Sequence, residues 1–239
     1  MKLIRQEDIL HKMQLQKLLM AVVDSPVLSQ SLYFKGGTCA TMLGFLDRFS
    51  VDLDFDLVAE SDPAILRVEL EKTFKSLDLV IENDNKKSLF FVLKYQAPQN
   101  KRSTIKLSIF EEIIKANDYK KVKITEIDRL VNCQTIETMF ANKLVAVTDR
   151  FEKHQKIAGR DIYDIHYFFN QGYKFKNEII EERTGLKSKE YINKLIKFID
   201  DKVTDKIITE DLNSLLPLEK FNKIRKVLKQ EVLMFLGLL

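Results

Sequence analysis

Residues 51–57 read VDLDFDL, with Asp52, Asp54 and Asp56 at every second position. An extended strand sends successive side chains to opposite faces, so the three aspartates share one face while Val51, Leu53, Phe55 and Leu57 head for a core. Like charges so close repel and raise each other's proton affinity unless a cation or a set of donors offsets them. Aspartate is also disfavoured in strands. A solvated sheet face would account for an isolated DxDxD. A divalent cation accounts for it better, because hard carboxylate oxygens suit Mg²⁺, whose octahedron two carboxylates and substrate phosphates can complete.

Just upstream, Gly36 and Gly37 lie between a short apolar strand, Leu32 to Phe34, and a helix read over Thr38 to Leu46. Glycines at a helix N-terminus let backbone amides approach a phosphate without a Cβ in the way. A diglycine alone is more often a simple turn. Diglycine, helix and DxD in that order form a much more specific signal.

The chain of 239 residues, 45% hydrophobic, is long enough for a sizeable core. Its net charge of +4 is compatible with nucleotide or nucleic-acid partners without requiring them. Only Cys39 and Cys133 occur, so neither a disulfide framework nor a CxxC metal site is readable, and a reducing cytoplasm is expected. The opening MKLIRQEDILHKMQ lacks the apolar stretch of a signal peptide, and no apolar run approaches a membrane span. Seven Gly and four Pro leave little room for flexible linkers.

Apolar spacing predicts an opening helix from Ile4 to Val23, and Asp62 before Pro63 starts a helix over 63–76. Leu77 to Ile81 and Ser88 to Tyr95 read as a hairpin around Asn83 to Lys87, followed by strands over Thr104 to Phe110 and Tyr119 to Ile124. Beyond about residue 130 only helices are expected, at 135–152, 160–170, 188–203 and 218–236. The chain thus divides into an α+β domain, residues 1–130, and an all-helical domain, residues 131–239.

Two of those helices carry charge on their packing faces. Lys143 falls inside the stripe of Ile136, Met139, Phe140, Leu144, Val147 and Phe151, and Asp161 and Asp164 fall within or beside the stripe of Ile162, Ile165, Phe168 and Phe169. A snorkelling lysine, a capping Asp161 or a structural ion pair are the bland readings. Next to the DxD strand, a shared functional role is the better one.

KGGTCATMLGFLDRFSVDLDF (35–55), ANKLVAV (141–147) and GRDIYDIHYFF (159–169) together resemble the AbiEii/AbiGii toxin family of nucleotidyltransferases, within the DNA polymerase β-like superfamily. The resemblance spans roughly residues 30–170. It implies a nucleotidyltransferase-like mixed β-sheet core with flanking helices, joined to a helical C-terminal domain, with the nucleotide in the cleft. It also implies that Asp52 and Asp54 bind Mg²⁺ or Mn²⁺ and that Lys35, Gly36, Gly37 and Thr38 form the phosphate-side turn. Arg48 and Ser50 match the RxS before the pair, Lys143 the lysine on the nucleotide phosphates, and Asp161 and Asp164 the acidic residues of the last motif. Asp56 lies outside the pattern and is expected to be solvated.

The superfamily usually takes a third carboxylate from a neighbouring strand to deprotonate the acceptor hydroxyl. This chain has Lys106-Leu107-Ser108 there, leaving Glu111, Glu112 or Asp164 as stand-ins, or a reduced activity. The implied function is transfer of a nucleoside monophosphate from a nucleoside triphosphate to an acceptor such as tRNA, by the toxin of a toxin-antitoxin or abortive-infection system whose antitoxin is encoded nearby. The alternatives are an adenylyltransferase of a small molecule or protein, and a non-catalytic nucleotide- or antitoxin-binding module.

Overall fold

A computed structural model describes residues 8–58 and 61–239, which form two compact units. The first comprises residues up to 113 together with 119–134, and the second comprises 114–118 together with 135–239. In the first unit the order is α1 (Asp8–Asp24), α2 (Pro26–Ser31), β1 (Leu32–Lys35), α3 (Gly36–Met42), β2 (Asp52–Leu57) and α4 (Pro63–Ser76). There follow β3 (Val80–Asn85), β4 (Phe90–Lys94), β5 (Thr104–Phe110), β6 (Tyr119–Ile124) and β7 (Arg129–Gln134).

The seven strands make one mixed sheet in the order β3-β4-β5-β2-β1-β7-β6. The β2–β5 and β1–β7 pairings are parallel and the rest antiparallel. The acidic strand therefore lies in the interior of the sheet. Its odd-numbered residues Leu53 and Phe55 are buried with Phe34 of β1 and Leu107 of β5, together with Leu15, Leu18 and Leu19 of α1 and Leu66, Leu70 and Phe74 of α4.

Asp62 caps α4, accepting from the Ala64 amide at 2.8 Å, with Pro63 at the first helical position. The buried His11 of α1 donates from Nε2 to the Val51 carbonyl at 2.9 Å and meets the Tyr95 hydroxyl through Nδ1 at 2.8 Å. Burial pushes its pKa down to about 4, so the ring is neutral at physiological pH and fixes the chain where it enters β2.

The second unit holds α5 (Ile136–His154), α6 (Gly159–Asn170), α7 (Asn177–Thr184), α8 (Ser188–Lys202), α9 (Asp205–Leu212), α10 (Leu218–Ile224) and α11 (Leu228–Gly237). Phe140 of α5 packs against Phe168 and Phe169 of α6, with ring centroids 5.2 and 4.8 Å apart. Gly159 lets α6 approach α9, since a Cβ there would stand 2.8 Å from the Ile207 carbonyl oxygen. The short segment 114–118 is tied to the helices by Glu182, whose two carboxylate oxygens accept the Lys115 and Ala116 amides at 2.8 Å each.

Several elements differ from expectation. The part of the opening helix read from Ile4 to Glu7 lies outside the described residues. Asn83 to Asn85, expected in the hairpin turn, belong to β3, and the turn falls at 86–89. The β7 strand, α2, α7 and α9 were not predicted, and the helix read over 218–236 breaks into α10 and α11. α2, α7 and α9 have six, eight and eight residues, too short for their apolar spacing to establish a period.

Candidate active site

β1 runs directly into α3, and Gly36 makes the corner with φ +78°. A Cβ on Gly36 would stand 2.5 Å from Asp54 Oδ2, so the Asp54 carboxylate lies against bare backbone. On Gly37, a Cβ would stand 2.7 Å from Arg48 Nη2 and 3.0 Å from Ser50 Oγ. The diglycine thus serves close approach by three side chains as much as chain reversal.

Thr38 ties the helix start to the acidic strand. Its hydroxyl donates to the Asp52 carbonyl at 2.5 Å, and since it carries one proton, the 2.9 Å contact with Ser50 Oγ is one in which Ser50 donates. Arg48 is buried and donates from Nη1 to the Phe49 carbonyl at 2.9 Å. Gly36, Gly37, Thr38, Arg48, Ser50, Asp52 and Asp54 are therefore one connected constellation. Asp52 and Asp54 are both half-buried.

Asp56 departs from expectation. It is 2% exposed rather than solvated. Its Oδ1 pairs with Lys35 Nζ at 2.5 Å, and its Oδ2 accepts from Tyr119 Oη at 2.8 Å and Gln134 Nε2 at 2.5 Å. Strand alternation assigns a face, but whether that face meets water depends here on β6 and β7, which come much later in the chain.

On the other side of β2, the parallel register sets Asp52 beside Lys106, Asp54 beside Ser108 and Asp56 beside Phe110. Ser108 therefore occupies the neighbouring-strand position next to Asp54 and has no carboxylate to offer. Glu111 Oε1 accepts the Leu89 amide at 2.7 Å, and Glu112 is exposed. Among the described residues no group of three or more His, Cys, Asp and Glu could hold a metal ion. The donor set at β2 is thus the two carboxylates of Asp52 and Asp54, which suits an ion that keeps water and phosphate oxygens among its ligands, as Mg²⁺ does.

In the second unit, Lys143 Nζ lies 2.9 Å from Asp161 Oδ1 and 3.1 Å from Asp164 Oδ2. Arg150 Nη2 lies 3.2 Å from Asp161 Oδ2. Both aspartates are buried. Burial alone would raise the Asp161 carboxyl, but the Lys143 and Arg150 charges and the Lys143 hydrogen bond outweigh it and hold it well below the usual carboxylate range. Asp161 is not the helix cap, a position held by Ala158. Asp164, one of the stand-ins for the third carboxylate, is engaged by Lys143.

Residues 17–223 match the family described as nucleotidyl transferase AbiEii toxin, type IV toxin-antitoxin system. The chain belongs to the AbiEii nucleotidyltransferase toxin family. No curated protein matches it. Solved structures of similar fold include JHP933 from Helicobacter pylori, with 20% identity, a TM-score of 0.55, and coverage of 98% of this chain and 95% of that one. MenT4, a nucleotidyltransferase toxin from Mycobacterium tuberculosis H37Rv, is similar at 15% identity and TM-score 0.55 over 98% of this chain and 86% of that one. An antigenic nucleotidyltransferase-like protein from Paracoccidioides brasiliensis follows at 15% identity and TM-score 0.51, over 86% of this chain and 95% of that one.

As an AbiEii-family member the chain is a transferase with a nucleotide substrate, from a toxin family whose systems include a cognate antitoxin. No helix among the described residues is long and apolar enough to cross a membrane. Sequence reasoning missed Tyr119, Gln134 and Arg150 as parts of these networks. Arg150 had a readable signal, since it follows Lys143 by seven residues and so lies on the same helix face. Tyr119 and Gln134 had none without the sheet order.

Proposed function

We propose that this AbiEii-family enzyme transfers a nucleoside monophosphate from a nucleoside triphosphate to a hydroxyl of an RNA acceptor, tRNA foremost, with Mg²⁺ or Mn²⁺ held by Asp52 and Asp54. The observation that carries this reading is the Asp54 carboxylate lying against the Gly36 corner, which puts cation-binding oxygens beside a helix start suited to phosphate. The acceptor oxygen bonds to the α-phosphorus, the bond from that phosphorus to the bridging oxygen breaks, and pyrophosphate leaves with the electron pair as the hydroxyl proton is released. A bound divalent cation offsets the charge that develops on the leaving group.

In this reading the chain's own groups do the positioning. The amides at the start of α3, opened by Gly36 and Gly37, cradle phosphate oxygens. Arg48, Ser50 and Thr38 hold that corner against β2. In the second unit, Asp161 and Asp164 hold the Lys143 ammonium, a group whose chemistry suits phosphate. The biological setting is cytoplasmic, with the antitoxin encoded in an adjacent gene.

The test is incubation of purified protein with each α-labelled nucleoside triphosphate and total tRNA, with Mg²⁺ or a chelator. One nucleotide is expected to label RNA in the Mg²⁺ arm alone. Asp52→Asn and Asp54→Asn should each lower that rate by about 10²-fold or more while keeping the parent's circular dichroism. Label transfer that survives the chelator, or a variant with parental rate, would overturn the assignment.

A further inference from the structure

The third aspartate of the DxDxD strand has no part in the reaction so far, yet its carboxylate is held by Lys35, Tyr119 and Gln134. In the antiparallel β1–β2 register Lys35 stands directly opposite Asp54, while Asp56 stands opposite Tyr33. Side chains directly opposite across antiparallel strands have their Cβ atoms about 4.5–5.5 Å apart, and opposite charges there ordinarily pair. Lys35 does otherwise. Its ammonium reaches diagonally to Asp56 Oδ1 at 2.5 Å and lies 4.3 Å from the centroid of the Phe110 ring.

Asp56 is built to hold that ammonium. The Tyr119 hydroxyl and the Gln134 amide both donate to Oδ2, leaving Oδ1 for the lysine. The carboxylate is 2% exposed, so its charge is strongly felt by a neighbouring cation and weakly screened by water. Phe110, beside Asp56 on β5, presents its ring to the same ammonium.

We propose that Asp56 is a positioning residue for the metal pair: it holds the Lys35 ammonium off Asp54, so that a divalent cation binding at Asp52 and Asp54 has no lysine to displace. The inference rests on the reading of Asp52 and Asp54 as cation ligands. It explains why a third aspartate follows the pair although it is not placed to join it. The phosphate turn carries a lysine next to Gly36, and without a competing anion that lysine would neutralise the carboxylate opposite.

Asp56→Asn tests it. The amide oxygen can still accept from Tyr119 and Gln134, but its NH₂ faces Lys35 and repels it, leaving Asp54 as the nearest anion opposite. Mn²⁺ binding, followed by calorimetry without nucleotide, is expected to weaken about tenfold or more in Asp56→Asn, the scale of lost outer-shell support at metal sites. Adding Lys35→Met in that background should restore affinity to within about twofold of the parent, because the competing ammonium is gone. Parental affinity in Asp56→Asn, or no recovery in the double variant, overturns the proposal and leaves Asp56 as a structural hub.

Tyr119→Phe is the second variant. It removes one donor and keeps the charge pair, so Mn²⁺ affinity should hold even if Asp56→Asn does not fold, and a tenfold loss there would also overturn the proposal. Failure of the underlying metal assignment reads separately, as Mn²⁺ affinity unchanged by Asp54→Asn in the parent background.

Discussion

At the scale of single residues, Gly36 carries two constraints that a substitution would violate together. Its φ of +78° lies in the left-handed region, and a Cβ would meet Asp54 Oδ2 at 2.5 Å. Gly44 shares the first constraint, with φ +80°, but a Cβ there would meet nothing within 4 Å. Gly44→Ala should therefore cost about 1 kcal/mol of stability, the left-handed penalty alone. Gly36→Ala should cost more than about 2 kcal/mol and also weaken Mn²⁺ binding, because the Asp54 carboxylate must move. Urea melts and calorimetry on the pair check this, and equal costs would show the Asp54 contact to be soft. The diglycine and the aspartate pair were legible because each is a local pattern. The fate of Asp56 was not, since its partners Lys35, Tyr119 and Gln134 lie 21, 63 and 78 positions away.

At the scale of elements, α5 and α6 are joined through charge as well as through Phe140. Asp161 is held below the usual carboxylate range, so its contribution to stability is fully present above the ordinary value near 4 and is lost as pH falls through the lowered native value. Asp161→Asn should reduce stability by about 3 kcal/mol at pH 7, since it strands charge buried for that carboxylate. The gap between parent and variant should narrow below about pH 4, where the Asp161 carboxyl of the unfolded parent takes up a proton that the folded parent still refuses. Denaturant melts at pH 7 and pH 3 measure both, and a gap that is constant across that range would mean that the charge of Asp161 contributes nothing. The helical periodicity exposed Lys143, Asp161 and Asp164 as misplaced charges, and the structure pairs them. The β7 strand, RLVNCQ, escaped because only Val131, Cys133 and Gln134 of its residues are buried and Asn and Gln interrupt the apolar pattern.

At the scale of the molecule, the seven-stranded sheet is assembled from distant pieces. β1 pairs on one side with β2, which follows it closely, and on the other with β7, which comes after five intervening strands. The mixed α+β class was readable from the alternation of helix and strand signals, but strand order was not, since parallel neighbours carry no turn signal between them. A fragment of residues 1–113 should lack cooperative unfolding, whereas one of residues 1–134 should melt with a single transition. Far-UV circular dichroism on both decides this, and a cooperative shorter fragment would show β6 and β7 to be dispensable.

The place of β7 also imposes a timetable on synthesis. β1 ends at Lys35 and its parallel neighbour ends at Gln134, about a hundred residues later. At roughly 5–20 residues per second, a ribosome needs on the order of 5–20 s to cover that interval. For most of it Asp52 and Asp54 have already been made, while one side of β1 has no strand to pair with and Asp56 lacks the Tyr119 and Gln134 donors. Each newly made copy thus passes through a period of several seconds as an unfinished toxin with an open strand edge, before translation supplies the piece that closes it.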